Sequence, residues 1–284
     1  MGGDHGPPVI LSAVQKAIQS ITDAQFILCG DENVILPALE SLTEQQRQRA
    51  VVHHCEQIVE MGEPPTSALR NKKQSSMWKA LQLVESGEAD ACVSAGNTGA
   101  LLTMAFYLLK TLPGIDRPAL VSDMPTASHH RVFLLDLGAN VNCTSEILFQ
   151  YGVMASVLAE QISGIESPRV ALLNVGEEDI KGNAQVKYAD QLFKNAKGIN
   201  YIGYVEGDDI FTDYADVVVT DGFTGNIALK SCEGLAKLVI NEVKRQSQAN
   251  FFSRMMARIA LPLLKTVYNR VNPDQYNGAS LLGL

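Results

Sequence analysis

"VSAGNTGALLT", residues 93–103, begins as an apolar extended run, breaks at two glycines and continues with the spacing of a helix. Between the glycines stand Asn97 and Thr98, both rich in hydrogen-bonding groups. Three more stretches follow the pattern: "LLDLGANVN" (134–142), "LLNVGEED" (172–179) and "VVVTDGFTGN" (217–226). Glycine permits a positive φ and close backbone approach, and a helix start offers unpaired N–H groups to an anion. The helix dipole adds about 0.3–1 kcal/mol for a negative group. One such turn is an ordinary connection, because structural turns also use Gly, Asn and Asp. Four of them, with Asn and Thr beside Gly, point to a phosphate-bearing ligand.

Outward from these turns, short apolar runs alternate with helical patterns. Strands are expected at 25–29, 50–54, 90–95, 119–122, 131–137, 169–175, 200–205 and 216–220. Helices are expected at 8–20, 32–41, 75–86, 99–110, 144–162, 184–196 and 227–246. Nearly continuous apolar strands between helices indicate an α/β fold with a mostly parallel sheet covered on both faces. In such folds ligands bind at the carboxyl ends of strands, where all four glycine turns fall. Residues 1–284 read as one α/β/α domain, with "KTLPGIDRPA" (110–119) the best boundary between two joined lobes.

The 284 residues are 46% hydrophobic and 19% charged, the balance of a soluble enzyme. The net charge of −8 argues against a general nucleic-acid binder. Five scattered cysteines without a C-x-x-C spacing suit reduced thiols in a cytoplasm. No run of 18 apolar residues marks a membrane span, and no secretory signal is recognisable. The Walker, dinucleotide and G-x-S-x-G motifs are absent, which disfavours P-loop hydrolases, standard dinucleotide enzymes and serine hydrolases. His53-His54 and His129-His130 read as surface or turn pairs, while His5, in the glycine-rich opening, stays a candidate. Cys92, just before the first glycine turn, has no base paired with it by any sequence signal and reads as a buried structural thiol. No metal cluster is evident, and no cofactor is expected.

The remaining chemistry is basic and polar. Lys181, in "NVGEEDIKGN", is either a solvated loop lysine or a cation able to neutralise phosphate. Arg70, Lys72 and Lys73 precede Ser75-Ser76 at a helix start, as a capped surface helix or as a landing place for an acidic partner.

Taken in order, "MGGDHGP" (1–7), "SAGNTGA" (94–100), "LLDLGANV" (134–141), "NVGEEDIKGN" (174–183), "YVEGDDI" (204–210) and "DGFTGNIALK" (221–230) closely resemble the PlsX family of phosphate acyltransferases, end to end. The resemblance implies a three-layer α/β/α fold related to isopropylmalate dehydrogenases and phosphotransacetylases. It also implies transfer of an acyl group from acyl–acyl-carrier-protein to inorganic phosphate, without a covalent acyl-enzyme. A cytoplasmic homodimer, attached peripherally to the membrane and delivering acyl phosphate to a membrane glycerol-3-phosphate acyltransferase, goes with it. The family carries a short strand before the "MGGD" turn, where this chain begins. It also continues past "YNGASLLGL" into a final strand and a glycine- and histidine-containing segment.

For that reaction Lys181 is expected to bind phosphate. Asn226 and the turn Gly222, Thr224, Gly225, with Gly96, Asn97, Thr98 and Gly99, are expected to donate to phosphate or to the oxyanion. Gly138, Asn140 and Gly176 complete the expected binding turns, and Asp4 and Asp221 are expected to fix lysine and turn geometry, with a base role open to either. Arg70, Lys72 and Lys73 are expected to meet the acidic carrier. Two other classes remain open: a decarboxylating dehydrogenase, which needs a nucleotide and usually a metal, and a non-catalytic membrane adaptor.

The last feature is 243–273, which has no acidic residue and six basic ones: Lys244, Arg245, Arg254, Arg258, Lys265 and Arg270. Phe252, Met255, Met256, Ile259 and Leu263 recur at helical spacing beside Arg254 and Arg258. The pattern fits a core or dimer-interface helix, or an amphipathic helical hairpin on anionic lipid with a break at Pro262.

Overall fold

The computed structural model describes residues 1–128, 130–178, 180–272 and 278–284. The chain divides into two compact units, Met1–Thr111 with Leu284, and Leu112–Gly283.

In the first unit, α1 (Gly6–Ser20) starts with prolines in its first turn, where a missing N–H costs nothing. Strands β1 (Phe26–Gly30) and β2 (Ala50–His54) pair in parallel, Phe26 opposite Ala50 and Gly30 opposite His54. Between them run α2 (Glu32–Leu39) and the short α3 (Glu44–Arg47), which Thr43 and Gln46 close with a capping box. Ile18, Ile35, Leu39 and Leu42 form one apolar cluster of this unit. The helices α4 (Pro65–Asn71), α5 (Ser76–Glu85) and α6 (Thr98–Leu109) follow. Fully buried Ser75 caps α5 by accepting from the Trp78 N–H at 3.3 Å. The expected strand at 90–95 does not form, because an extended run is a strand only where a neighbour pairs with it. Residues 91–95 find no ladder partner among the described residues, and Val93 is 98% exposed.

The second unit is built on a six-stranded sheet in the order β6-β5-β7-β4-β3-β8. These are β3 (Ala119–Pro125), β4 (Arg131–Leu135), β5 (Arg169–Leu173), β6 (Asn200–Val205), β7 (Val217–Val219) and β8 (Ser280–Leu282). Strands β6, β5, β7 and β4 run parallel, while β3 is antiparallel to β4 and to β8. Side chains alternate between two cores. Phe133, Leu135, Val170, Leu172, Val217 and Val219 face Tyr151, Ala155 and Phe193 of α7 (Ser145–Ser163) and α8 (Ala184–Asn195). Val132, Leu134, Ala171 and Val218 face the other way, against Ile210 of a 3₁₀ turn (Asp209–Phe211) and Leu229 of α9 (Gly222–Gln248). Each buried Val, Leu, Ile or Phe among them stabilises by about 1.5–3 kcal/mol, which explains the near-continuous apolar strands. On α7 a Cβ at Gly152 would overlap the Phe193 ring, so the glycine lets α7 and α8 close up.

Beyond α9 the chain forms α10 (Phe251–Ile259) and α11 (Leu261–Val271), broken at Ala260 with Pro262 in the first turn of α11. The expected break is present. Arg270 ties the end of α11 to the carbonyls of Thr126 and Ala127, each at 2.7 Å. Phe251, Phe252, Ile259 and Leu263 are 65–82% exposed. Pro273, the last residue of the acid-free stretch, lies outside the described residues. No described helix is long and apolar enough to cross a membrane.

Candidate functional site

In the second unit the neighbouring parallel strands β5, β7 and β4 deliver three loops to one edge of the sheet. The loop after β4 turns on Asp136, which is fully buried. Its Oδ1 accepts the N–H groups of Leu120 (3.1 Å), Gly138 (3.2 Å) and Ala139 (2.9 Å). Its Oδ2 accepts from the Asn140 N–H at 2.7 Å and from Asn140 Nδ2 at 3.1 Å. Burial pushes the Asp136 carboxyl above its ordinary pKa, against the pull of these hydrogen bonds. Asn140 Nδ2 also donates to the Pro118 carbonyl at 2.7 Å and meets the Tyr151 hydroxyl at 2.7 Å. Sequence reasoning passed over Asp136, whose only local signal is an Asp two residues before a Gly. Cys143, buried beside this turn, has its thiol pushed up to about 11, chiefly by burial.

The loop after β7 enters α9 directly. Asp221 caps that helix, accepting the Thr224 N–H at 2.8 Å and the Thr224 hydroxyl at 3.2 Å. The Gly222 N–H donates to the Asn140 carbonyl at 2.8 Å, and a Cβ on Gly222 would lie 2.6 Å from that oxygen. A Cβ on Gly225 would overlap the Asp136 carbonyl oxygen. Both glycines are therefore required by backbone meeting backbone. Gly138, at φ 126°, lies beneath Asn226, whose Cβ would be 3.5 Å from a side chain placed there. Asn226 itself is exposed and has no hydrogen-bond partner among the described residues.

After β5, Asn174 Nδ2 holds the loop by donating to the Gly176 carbonyl at 2.9 Å. The Lys181 stem lies over Gly176, and its Nζ sits 3.0 Å from the Glu178 carboxylate. The Glu178 hydrogen bond and charge hold Lys181 above its ordinary pKa, with Glu206 adding to the effect, so it is a full cation at neutral pH.

In the first unit Asn97 is spent within its own turn. Its Oδ1 accepts the Ala100 N–H at 3.0 Å, and its Nδ2 donates to the carbonyls of Glu60, Met61 and Glu63 at 2.9–3.2 Å. The side chain therefore clamps the loop rather than presenting its amide. Thr98 is exposed at the first position of α6, and Gly96 and Gly99 pack closely on Met77 and Pro65. Asp4 is exposed in the turn before α1. Lys72 pairs with Glu63 at 3.8 Å, Lys73 stands 5.6 Å from the Trp78 ring centre, and Arg70 is exposed in the last turn of α4. Burial raises the Cys92 thiol, which makes it a poor nucleophile. No group of three His, Cys, Asp or Glu side chains suited to a metal occurs among the described residues, and His129 lies outside them.

Solved structures share this fold. A phosphotransacetylase from Streptococcus pyogenes superposes with a TM-score of 0.61 at 18% identity, over 84% of this chain and 82% of that one. A branched-chain phosphotransacylase from Enterococcus faecalis gives 0.59 at 18% identity, over 82% and 83%. By sequence, the phosphate acyltransferase of Pseudoalteromonas atlantica is 59% identical over 284 residues, all of this chain and 83% of its own length. That of Alkalilimnicola ehrlichii is 54% identical over all of this chain and 82% of its own length. The family described as "Fatty acid synthesis protein" matches residues 1–284. The chain belongs to this fatty acid synthesis protein family, the PlsX family of phosphate acyltransferases.

Proposed function

We propose that the chain transfers a fatty acyl group from the thioester of an acyl carrier protein to inorganic phosphate, giving acyl phosphate for phospholipid synthesis. A phosphate oxygen attacks the thioester carbonyl, the carbon–sulfur bond breaks, and the carrier leaves as its thiol. Phosphate near neutral pH is already partly dianionic, so a strong base is not demanded. The site has to gather two anionic partners and stabilise the developing oxyanion. The observation that carries this reading is the pairing of an exposed cation, Lys181, with an exposed and unpartnered amide, Asn226, on the loops of adjacent parallel strands. Lys181 takes phosphate by exchanging Glu178 for it, and Asn226 donates to phosphate or to the oxyanion. Asp221 and Thr224 keep the first turn of α9 in shape.

In the same reading Arg70, Lys72 and Lys73 receive the acidic carrier. The enzyme works as a cytoplasmic homodimer whose exposed α10 face rests on anionic lipid. Acyl phosphate passes from there to a membrane glycerol-3-phosphate acyltransferase.

The test is acyl-phosphate formation by Lys181→Ala and Asn226→Ala. Each should lose about tenfold to a hundredfold in kcat/KM for phosphate, the worth of one hydrogen bond to a charged group. Near-normal rates in folded protein would sink the assignment.

A further inference from the structure

The turn after β4 looks like an anion site, yet its anion is its own. Three consecutive N–H groups, those of Gly138, Ala139 and Asn140, converge on the Asp136 carboxylate, with Leu120 N–H and Asn140 Nδ2 completing the set. A carboxylate with five donors around it and no exposure leaves these amides nothing to offer phosphate. It does hold the turn at one height against α9. Four links join the two elements. The Asp136 N–H donates to the Thr220 carbonyl at 3.0 Å, and the Gly222 N–H to the Asn140 carbonyl at 2.8 Å. Gly225 lies against the Asp136 carbonyl, and Gly138 comes near enough to Asn226 that a Cβ on it would touch that side chain at 3.5–3.6 Å.

We propose that Asp136 is a positioning residue: its carboxylate fixes the 136–140 turn, and the Gly138 backbone then sets where the Asn226 amide stands. This rests on the reading of Asn226 given above. A purely structural Asp136 would hold the sheet edge together without passing through Asn226, and a mutant cycle separates the two roles. The isosteric Asp136→Asn variant removes the charge and replaces one acceptor by a donor in a site filled with donors. The measurement is kcat/KM for inorganic phosphate with saturating acyl–acyl-carrier-protein, for Asp136→Asn, Asn226→Ala and the double variant. Asp136→Asn should lose about tenfold or more alone, but less than about threefold when Asn226 is already Ala.

Should Asp136→Asn fail to fold, Gly138→Ala takes its place in the cycle. It puts a methyl group at φ 126°, in contact with Asn226 at 3.5 Å, and leaves Asp136 intact. The same non-additivity is expected. Losses that multiply in the double variant, or Asp136→Asn within about threefold of wild type, overturn the inference while leaving Asn226 in its role. Full activity in Asn226→Ala alone overturns the site reading and this inference with it.

Discussion

Helix α9 carries two glycines whose replacement by alanine should have opposite consequences. Gly234 is exposed, and a Cβ there meets nothing within 4 Å. Alanine at an open helix position gains about 0.5–1 kcal/mol over glycine. For a unit of this size that raises Tm by about 1–4 °C. Gly225 has the same intrinsic gain available, but its Cβ would overlap the Asp136 carbonyl oxygen and lie 3.0 Å from Thr220 Cγ2. The obstructing oxygen is backbone, at the end of a central strand, and cannot swing aside as a lysine tip would. Overpacking of this kind costs about 1–3 kcal/mol, and a rigid backbone partner puts it at the upper end. After the helix gain is subtracted, Gly225→Ala should lose about 2 kcal/mol, or about 4–8 °C in Tm. The strain is relieved by pushing out the first two turns of α9, which carry Asn226. A displacement of about 1 Å at a reacting group costs about a hundredfold in rate. Thermal unfolding by circular dichroism and acyl-phosphate formation, run on both variants, make the comparison. A Gly225→Ala protein as stable and as active as Gly234→Ala would refute the contact between α9 and the β4 turn.

Asp216 is mostly buried; burial raises its pKa, but the hydrogen bonds and charge of Arg169, at 2.8–2.9 Å, win and hold it below its ordinary value. Its contribution is therefore present above the unfolded value of about 4 and is lost as pH falls through the folded value. Urea unfolding should find Asp216→Asn about 2 kcal/mol less stable than wild type at pH 7, with the gap narrowing by pH 3; a gap that widens on acidification reverses the sign. Phe252→Glu with Ile259→Glu should abolish sedimentation with anionic liposomes and leave the oligomer intact; a split oligomer, or unchanged binding, would make α10 a packing surface. Charge reversal at Lys72 and Lys73 should raise KM for the carrier-bound substrate by about threefold to tenfold without unfolding α5, and an unchanged KM removes them from the carrier surface.

What the sequence made legible were features with local causes. Strands β4, β5 and β7 announce themselves because both faces are buried, so nearly every position is apolar. The stop at Ala260 follows from Pro262 alone. Features with distant causes stayed hidden. The start of α9 at Gly222, five residues before the expected 227, is masked by two poor helix formers. They are kept there because the Asn140 and Asp136 carbonyls lie against them. Asn97 reads as a free donor until its amide finds carbonyls 34–37 residues upstream. Asp136 is silent because its partners are mostly main-chain N–H groups, which any sequence has.

These cases sort glycine turns that look alike on paper. In the turns at 97 and 136 the polar side chains neutralise donors of their own backbone, so Asn and Asp serve there as mortar. In the loop at 226 the glycines bring backbones together, in the loop at 181 Gly176 makes room for the Lys181 and Glu178 side chains, and Lys181 and Asn226 are left exposed. A turn whose amides are already answered cannot also answer a substrate anion. In the proposed reaction, binding therefore falls to the two loops where a polar side chain can still change partner, and Lys181, now 3.0 Å from the Glu178 carboxylate, would exchange that carboxylate for a phosphate oxygen.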